Sequence, residues 1–279
     1  MPIQCKMTTM HNVYVGIDAG SRATKLVAIH ADGKVVHRAR VDQSVQPAVT
    51  AQKLFEETCG TMQVGGCVAT GHARNMLTFA DRAVTEITCH AKGCASLYPE
   101  AEAVIEIGGQ DSKFIRLQQG RVHDFVMNDR CAAGTGRFLE VVAVRLGLSL
   151  AELQECGHSS PQPECGQECP HSFPDPVSIS SVCVVFAETE VIGLLATGTP
   201  PATIMRGVQR AVAMRVVAMM GDRRHLQGEI IFTGGVAHVH GMKDALERAL
   251  GRTLRIPDQP QYTGALGAAL IARDECCKL

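Results

Sequence analysis

The sequence has no tryptophan, three tyrosines and eight phenylalanines among 279 residues. Any core must therefore be built mainly from aliphatic side chains. Net charge is nearly absent: 27 Lys and Arg face 28 Asp and Glu. Holding nucleic acid or an acidic membrane surface by charge requires a basic excess, so neither partner is expected. No run approaches the ~20 consecutive apolar residues of a membrane span. The opening MPIQCKMTTMHN lacks the apolar stretch of a signal peptide, and a cytoplasmic location is expected. Cysteine is not scarce, with twelve present. In a reducing compartment these read as small buried residues or as metal and redox groups, not as disulfides.

With 46% apolar residues, the chain can bury a sizeable core, as one large or two small domains. Two stretches resemble each other: VGIDAGSRATKLVAIHADGKVV from Val15 and IEIGGQDSKFIRLQQGRV from Ile105. Aligned without gaps, Asp18 falls on Glu106, Gly20 on Gly108 and Lys25 on Lys113. Each reads as a β-hairpin that continues through a glycine turn, at Gly33 or Gly120, into another strand. Helices are predicted over 47–59, 72–80 and 86–97, with the strand VGGCVATG between the first two. Further helices are predicted over 134–146, 187–196, 202–220 and 239–250. The strand GEIIFTGG precedes the last of these, and the short strand TLRI and closing helix GALGAALIARD follow it. Strands alternating with helices give an α/β architecture. Two repeated halves imply a ligand cleft between them.

The first turn, Asp18-Ala19-Gly20-Ser21, combines an acid that can hold Mg²⁺ through water with a glycine that lets backbone amides approach an anion. Ser21, Arg22 and Lys25 add a hydroxyl and two cations. The second turn offers Glu106, Gly108, Gly109, Gln110, Asp111 and Lys113 from the opposite half. A third glycine element, FTGGVAHVHG, follows an apolar strand, and Gly234, Gly235 and Val236 are predicted to open a helix against a nucleotide. Each piece is weak alone; three after strands suit a triphosphate lying across a cleft.

With these motifs the chain resembles the ATPase superfamily of actin, Hsp70-type chaperones and sugar kinases. Within it, the chain resembles the BadF/BadG/BcrA/BcrD-type ATPases: activators of 2-hydroxyacyl-CoA dehydratases and the related subunits of benzoyl-CoA reductase. The resemblance runs from about Val13 to Ala272. The narrower family is marked by NDRCAAGTGRFLE (128–140) and SISSVCVVFAETEVI (178–192). It implies an actin/hexokinase-like fold with two ribonuclease-H-like halves, residues 1–100 with 258–279 and residues 101–257. It also implies ATP or ADP with Mg²⁺ in the cleft, with Gly134, Thr135 and Gly136 among the nucleotide-binding residues. Asp18 would hold magnesium water, and Glu106, Gln110 or Asp111 would orient the attacking water.

The two family motifs each contain one cysteine, Cys131 and Cys183, and each precedes a predicted helix. A helix N-terminus favours thiolate over thiol. Two thiolates cannot fill a cubane, which takes four cysteines, whereas a symmetric dimer brings two from each copy. The residues alone also allow two buried structural cysteines. The resemblance implies the dimer arrangement: a homodimer bridged by one [4Fe–4S] cluster. It further implies electron transfer to a partner iron–sulfur enzyme such as a 2-hydroxyacyl-CoA dehydratase, a benzoyl-CoA reductase or a double-cubane-type protein. An electron donor such as ferredoxin or flavodoxin would supply it.

The chain departs from the family in ECGHSSPQPECGQECPHSFPDP, a Pro-rich loop longer than expected. Cys156, Cys165 and Cys169 there read either as a further metal centre or as reactive thiols in a loop. The competing function is a small-molecule kinase of the same superfamily without a cluster. It leaves Cys131 and Cys183 unexplained, and 279 residues leave little room for a substrate-binding insertion.

Overall fold

The structure is a computed structural model, and it describes residues 12–149, 176–179 and 183–276. The Cys156–Cys169 loop lies outside the described residues. The first half opens with three antiparallel strands, β1 (Asn12–Ala19), β2 (Ala23–Ile29) and β3 (Val35–Asp42). Helix α1 (Pro47–Cys59) leads into β4 (Gln63–Thr70), which lies parallel to β1, and a short β5 (Arg82–Ala83) completes the order β3-β2-β1-β4-β5. Alternate β1 residues serve opposite faces, as a pleated strand requires. Val13, Val15 and Ile17 pack with Ala51 and Leu54 of α1, and Tyr14 joins a cluster on the other face.

The second half repeats the plan. β6 (Ala101–Ile107), β7 (Ser112–Gln118) and β8 (Arg121–Asn128) form an antiparallel meander, and β9 (Glu229–Thr233) runs parallel to β6. Helices α3 (Gly136–Arg145), α4 (Val184–Ala196) and α5 (Pro201–Met220) lie between β8 and β9, and α6 (Met242–Leu250) follows β9. Phe138, Leu139 and Val142 of α3 share the core of this half with Ile105 and Ile107 of β6.

Between the sheets lie α2 (Glu86–Leu97) and α7 (Thr263–Cys276). Cys89 of α2 and Ala265 of α7 join a cluster with β1 and β2, whereas Ala91 and Cys94 pack on β6, β7 and β9. The two helices cross with almost no gap: a Cβ on Gly267 would meet the Cys89 carbonyl at 1.8 Å.

Two predicted elements are corrected. Residues 72–80 form only a 3₁₀ turn, Arg74–Met76. The spacing of Ala73, Leu77 and Ala80 imitates a helix, but short-range bonds such as Met76 N–H to the Ala73 carbonyl (2.9 Å) close the segment as turns. The TLRI segment is no strand of its own: it makes one isolated bridge, Arg255 to Ile231, before Pro257 interrupts the pairing.

Candidate nucleotide cleft

The duplication holds residue for residue at the strand ends. Asp18 on β1 stands opposite Lys25 on β2, with Oδ2 2.9 Å from Nζ. Glu106 on β6 stands opposite Lys113 on β7, with Oε2 2.8 Å from Nζ. Each turn is closed by the same bond: Gly20 N–H donates to the Ala23 carbonyl at 3.2 Å, and Gly108 N–H to the Asp111 carbonyl at 2.9 Å. The neighbouring parallel strands end alike, in Thr70-Gly71 and Thr233-Gly234. Gly71 has φ +91° and Gly234 φ +92°, where a side chain is strained. A Cβ on Gly71 would meet Asp18 Oδ1 at 2.5 Å, and one on Gly234 would meet Glu106 Oε1 at 2.8 Å. Each carboxylate is thus seated against the glycine of the adjacent strand.

The two turns face one cleft of about 440 Å³. The first contributes Asp18, Gly20, Ser21, Arg22 and Lys25 to its lining, and the second Glu106, Gly108, Gly109, Gln110, Asp111 and Lys113. Gly136, Gly234, Gly235 and Val236 complete the expected set. Gly134 and Thr135 do not line it. Thr135 is buried as the N-cap of α3, its Oγ1 accepting from Arg137 N–H and donating to the Ala132 carbonyl at 2.8 Å. Nor does Gly234-Gly235 open an α-helix. A 3₁₀ turn follows, α6 starts only at Met242, and Gly234 N–H donates to the Pro260 carbonyl.

Among the cleft side chains that sequence reasoning missed are Arg74, Glu86, His90 and Glu140. Glu86 lies in the first turn of α2, where an acid is ordinary dipole compensation, and nothing local signals that it reaches Lys113. Nζ of Lys113 is 2.8 Å from Glu86, 2.8 Å from Glu106 and 2.9 Å from Asp111. Burial opposes its charge, but these three carboxylates hold the ammonium well above its usual range. Burial pushes the Glu106 carboxyl up, against the pull of Lys113. Burial also opposes ionisation of Asp18, yet Lys25 and His90 together hold that carboxyl below its usual value. His90 is pushed down to about 4, first by burial and then by Lys113. It is neutral at pH 7, with Nδ1 hydrogen-bonded to Thr263 Oγ1 at 3.0 Å.

Four carboxylates therefore surround two ammonium groups on the cleft floor. Such a floor repels a bare triphosphate.

The described cysteines divide sharply. Cys59, Cys67, Cys89 and Cys94 are buried. Burial pushes the Cys59 thiol up to about 11 and the other three to about 12, so none is a ready thiolate. Cys131, Cys183 and Cys276 are exposed. Cys183 is the N-cap residue of α4, as expected, but Cys131 caps only the 3₁₀ turn Ala132–Gly134 ahead of α3. Among the described residues, no three or more His, Cys, Asp or Glu side chains are grouped to hold a metal ion.

A model described as the BadF/BadG/BcrA/BcrD ATPase family matches residues 15–272. The chain belongs to this family. Of its relatives, the activator of lactoyl-CoA dehydratase of Anaerotignum propionicum is 40% identical over 270 residues, 95% of this chain and 98% of that one. The (R)-2-hydroxyglutaryl-CoA dehydratase activating ATPase of Acidaminococcus fermentans is 38% identical over 269 residues, again 95% and 98%. The solved activator of the 2-hydroxyisocaproyl-CoA dehydratase from Clostridium difficile, with bound ADPNP, superposes with a TM-score of 0.84. It is 35% identical, over 95% of this chain and 96% of that one. The fold of this ATPase family member is the actin/hexokinase-like α/β one that the family resemblance implied. No helix among its described residues is long and apolar enough to cross a membrane.

Proposed function

We propose that this chain is an ATP-hydrolysing activator that couples nucleotide turnover in the cleft to low-potential electron delivery. Its partner is an iron–sulfur enzyme of the 2-hydroxyacyl-CoA dehydratase or benzoyl-CoA reductase type. The observation that carries the proposal is the pair of opposed turns, each with a carboxylate opposite a lysine, facing one cleft in a chain related throughout its length to dehydratase activators.

Asp18 holds the Mg²⁺ water shell, and the backbone of the two turns receives the phosphates. Three groups of the second turn were candidates to orient the attacking water. Glu106 and Asp111 are engaged by Lys113, whereas Gln110 is exposed, lines the cleft and has no bonding partner among the described residues. Gln110 is therefore the orienting group, and Lys113 fixes the carboxylates around it.

Cys131 and Cys183 are the residues that would hold a [4Fe–4S] cluster. They are exposed thiols, and no third ligand is grouped with them among the described residues; two from each copy would make the four-cysteine set of a shared homodimer site. Exposed apolar side chains on α4, Val185, Phe186 and Ile192, suit burial against a second copy. Such a cluster, when bound, supplies a one-electron carrier whose potential follows its hydrogen bonds and solvent access.

The second turn reaches Cys131 by two short routes. Gly136 N–H donates to the Gly108 carbonyl at 2.9 Å, and Thr135 Oγ1 to the Ala132 carbonyl beside the cysteine. Ser112 pairs with Asn128, which exchanges hydrogen bonds with the Cys131 backbone at 2.7 and 3.0 Å. A shift of the turn on hydrolysis therefore moves the Cys131 segment. The test is Mg²⁺-dependent ATP hydrolysis by anaerobically prepared protein. We expect Asp18→Asn and Gln110→Ala each to lower it by about 100-fold, the scale of a lost catalytic polar group. Full activity in both variants would remove the catalytic assignment.

A further inference from the structure

One side chain crosses the mouth of the cleft. Arg22 sits at the tip of the first turn, between Gly20 and the Ala23 carbonyl that closes it. Its Nε lies 3.0 Å from Glu140 Oε1 on α3. On the way its stem passes directly over the second turn: a Cβ on Gly109 would come within 2.1 Å of Arg22 Cγ. Only a glycine at 109 leaves that path open. The other Glu140 oxygen faces Arg137 Nη1 at 3.3 Å, so the carboxylate is held from its own helix. The start of α3 is fastened to the same turn, with Gly136 N–H on the Gly108 carbonyl and Arg137 N–H on the Gly109 carbonyl at 2.8 Å. The second turn is therefore gripped from one side by α3 and from the other by an arginine of the opposite half.

The ends of this contact belong to different cores. Ile17 and Ala19, just ahead of the first turn, pack in one cluster, and Phe138 and Leu139, just ahead of Glu140, pack in another. The halves cannot part at this mouth without breaking the pair. The exposures of the partners differ usefully: Glu140 is 16% exposed and Arg22 49%. The helix thus fixes the carboxylate, and the arginine is the partner that can let go into water.

We infer that Arg22 and Glu140 form a cross-cleft tie that closes the two phosphate turns over bound nucleotide and sets the rate at which ADP leaves. Both are positioning residues. Nε is engaged by Glu140, and through that contact Arg22 acts by closing the cleft. The inference rests on the ATP-site reading proposed above.

The test is stopped-flow release of a fluorescent ADP analogue from the full-length, anaerobically prepared protein, in a double-mutant cycle. An exposed ion pair is a modest interaction, so Arg22→Gln and Glu140→Gln should each speed release about fivefold. The double variant should be no faster than either single one, because one contact is lost in each case. Arg22→Lys should recover part of the slow release, and Gly109→Ala should match Arg22→Gln by blocking the path of the stem. Raised salt should speed release in the parent and leave the double variant unchanged. A parent that binds no analogue overturns the ATP-site reading and the tie with it. A parent that binds, with variants that release at its rate or whose effects add, overturns the tie alone.

Discussion

Glu106 and Lys113 face each other across β6 and β7 at 2.8 Å, in the same relation that Asp18 and Lys25 hold across β1 and β2 at 2.9 Å. The two pairs are not equally loaded. Lys113 is 2% exposed and serves three carboxylates, whereas Lys25 is 18% exposed and serves one. Removing the ammonium from the second site leaves several carboxylates uncompensated, the costly way to break a buried pair. Lys113→Met should therefore destabilise the protein by about 3–5 kcal/mol, and Lys25→Met by markedly less. Urea denaturation of both variants checks this; equal losses would contradict the ranking.

Much of this arrangement was legible in the sequence. The alignment of Asp18 on Glu106 and Lys25 on Lys113 survives as cross-strand register, because strand pairing preserves residue spacing on both sides of a turn. The helices at Pro47–Cys59 and Glu86–Leu97 form where they were predicted, the first with proline in its first turn and the second capped by Thr85. The equivalence of Gly71 with Gly234 was hidden, because a Thr-Gly step is common and only the parallel pairing to β1 and β6 gives it meaning. Glu86, His90 and Glu140 were hidden for a like reason. Each sits on a helix whose local pattern is satisfied without the cleft, and only tertiary packing brings it to the phosphate turns.

His90 gives the fold a pH signature. Its folded value of about 4 lies below the ~6.5 of an exposed histidine, so the unfolded chain binds the extra proton between those pH values. Stability from this group is complete above pH 6.5 and is lost as pH falls toward 4. Asp18, also depressed, acts with the same sign at lower pH, and Glu106, raised, with the opposite sign. The difference between parent and His90→Gln isolates the histidine. Urea titrations at pH 7, 6 and 5 should show the parent losing about 1 kcal/mol more per pH unit than the variant. Parallel curves would contradict the buried neutral assignment.

The crossing of α2 and α7 depends on the absence of a side chain at 267. Gly267→Ala places a methyl 1.8 Å from the Cys89 backbone carbonyl, where no side chain can swing aside. Overpacking of this kind costs about 1–3 kcal/mol. Thermal unfolding should show the loss, whereas Gly235→Ala, with open space at its Cβ position, should unfold with the parent.

Thiol mapping separates the two classes of cysteine. In the reduced, metal-free native protein, iodoacetamide should label Cys131, Cys183 and Cys276, and should reach Cys59, Cys67, Cys89 and Cys94 only after denaturation. Peptide mass mapping reads the sites. Native labelling of Cys94 or Cys89 would contradict the burial that separates the two classes.

The most direct measurement is iron and acid-labile sulfide per chain in anaerobically purified parent, Cys131→Ser and Cys183→Ser proteins, each sized in solution. The parent should be a dimer with about four irons per two chains, the content of one cubane. Either serine substitution should abolish the iron while Mg-ATP still binds in the cleft. A variant that retains the parent's iron, or an iron-free parent that phosphorylates a small molecule, would contradict the account.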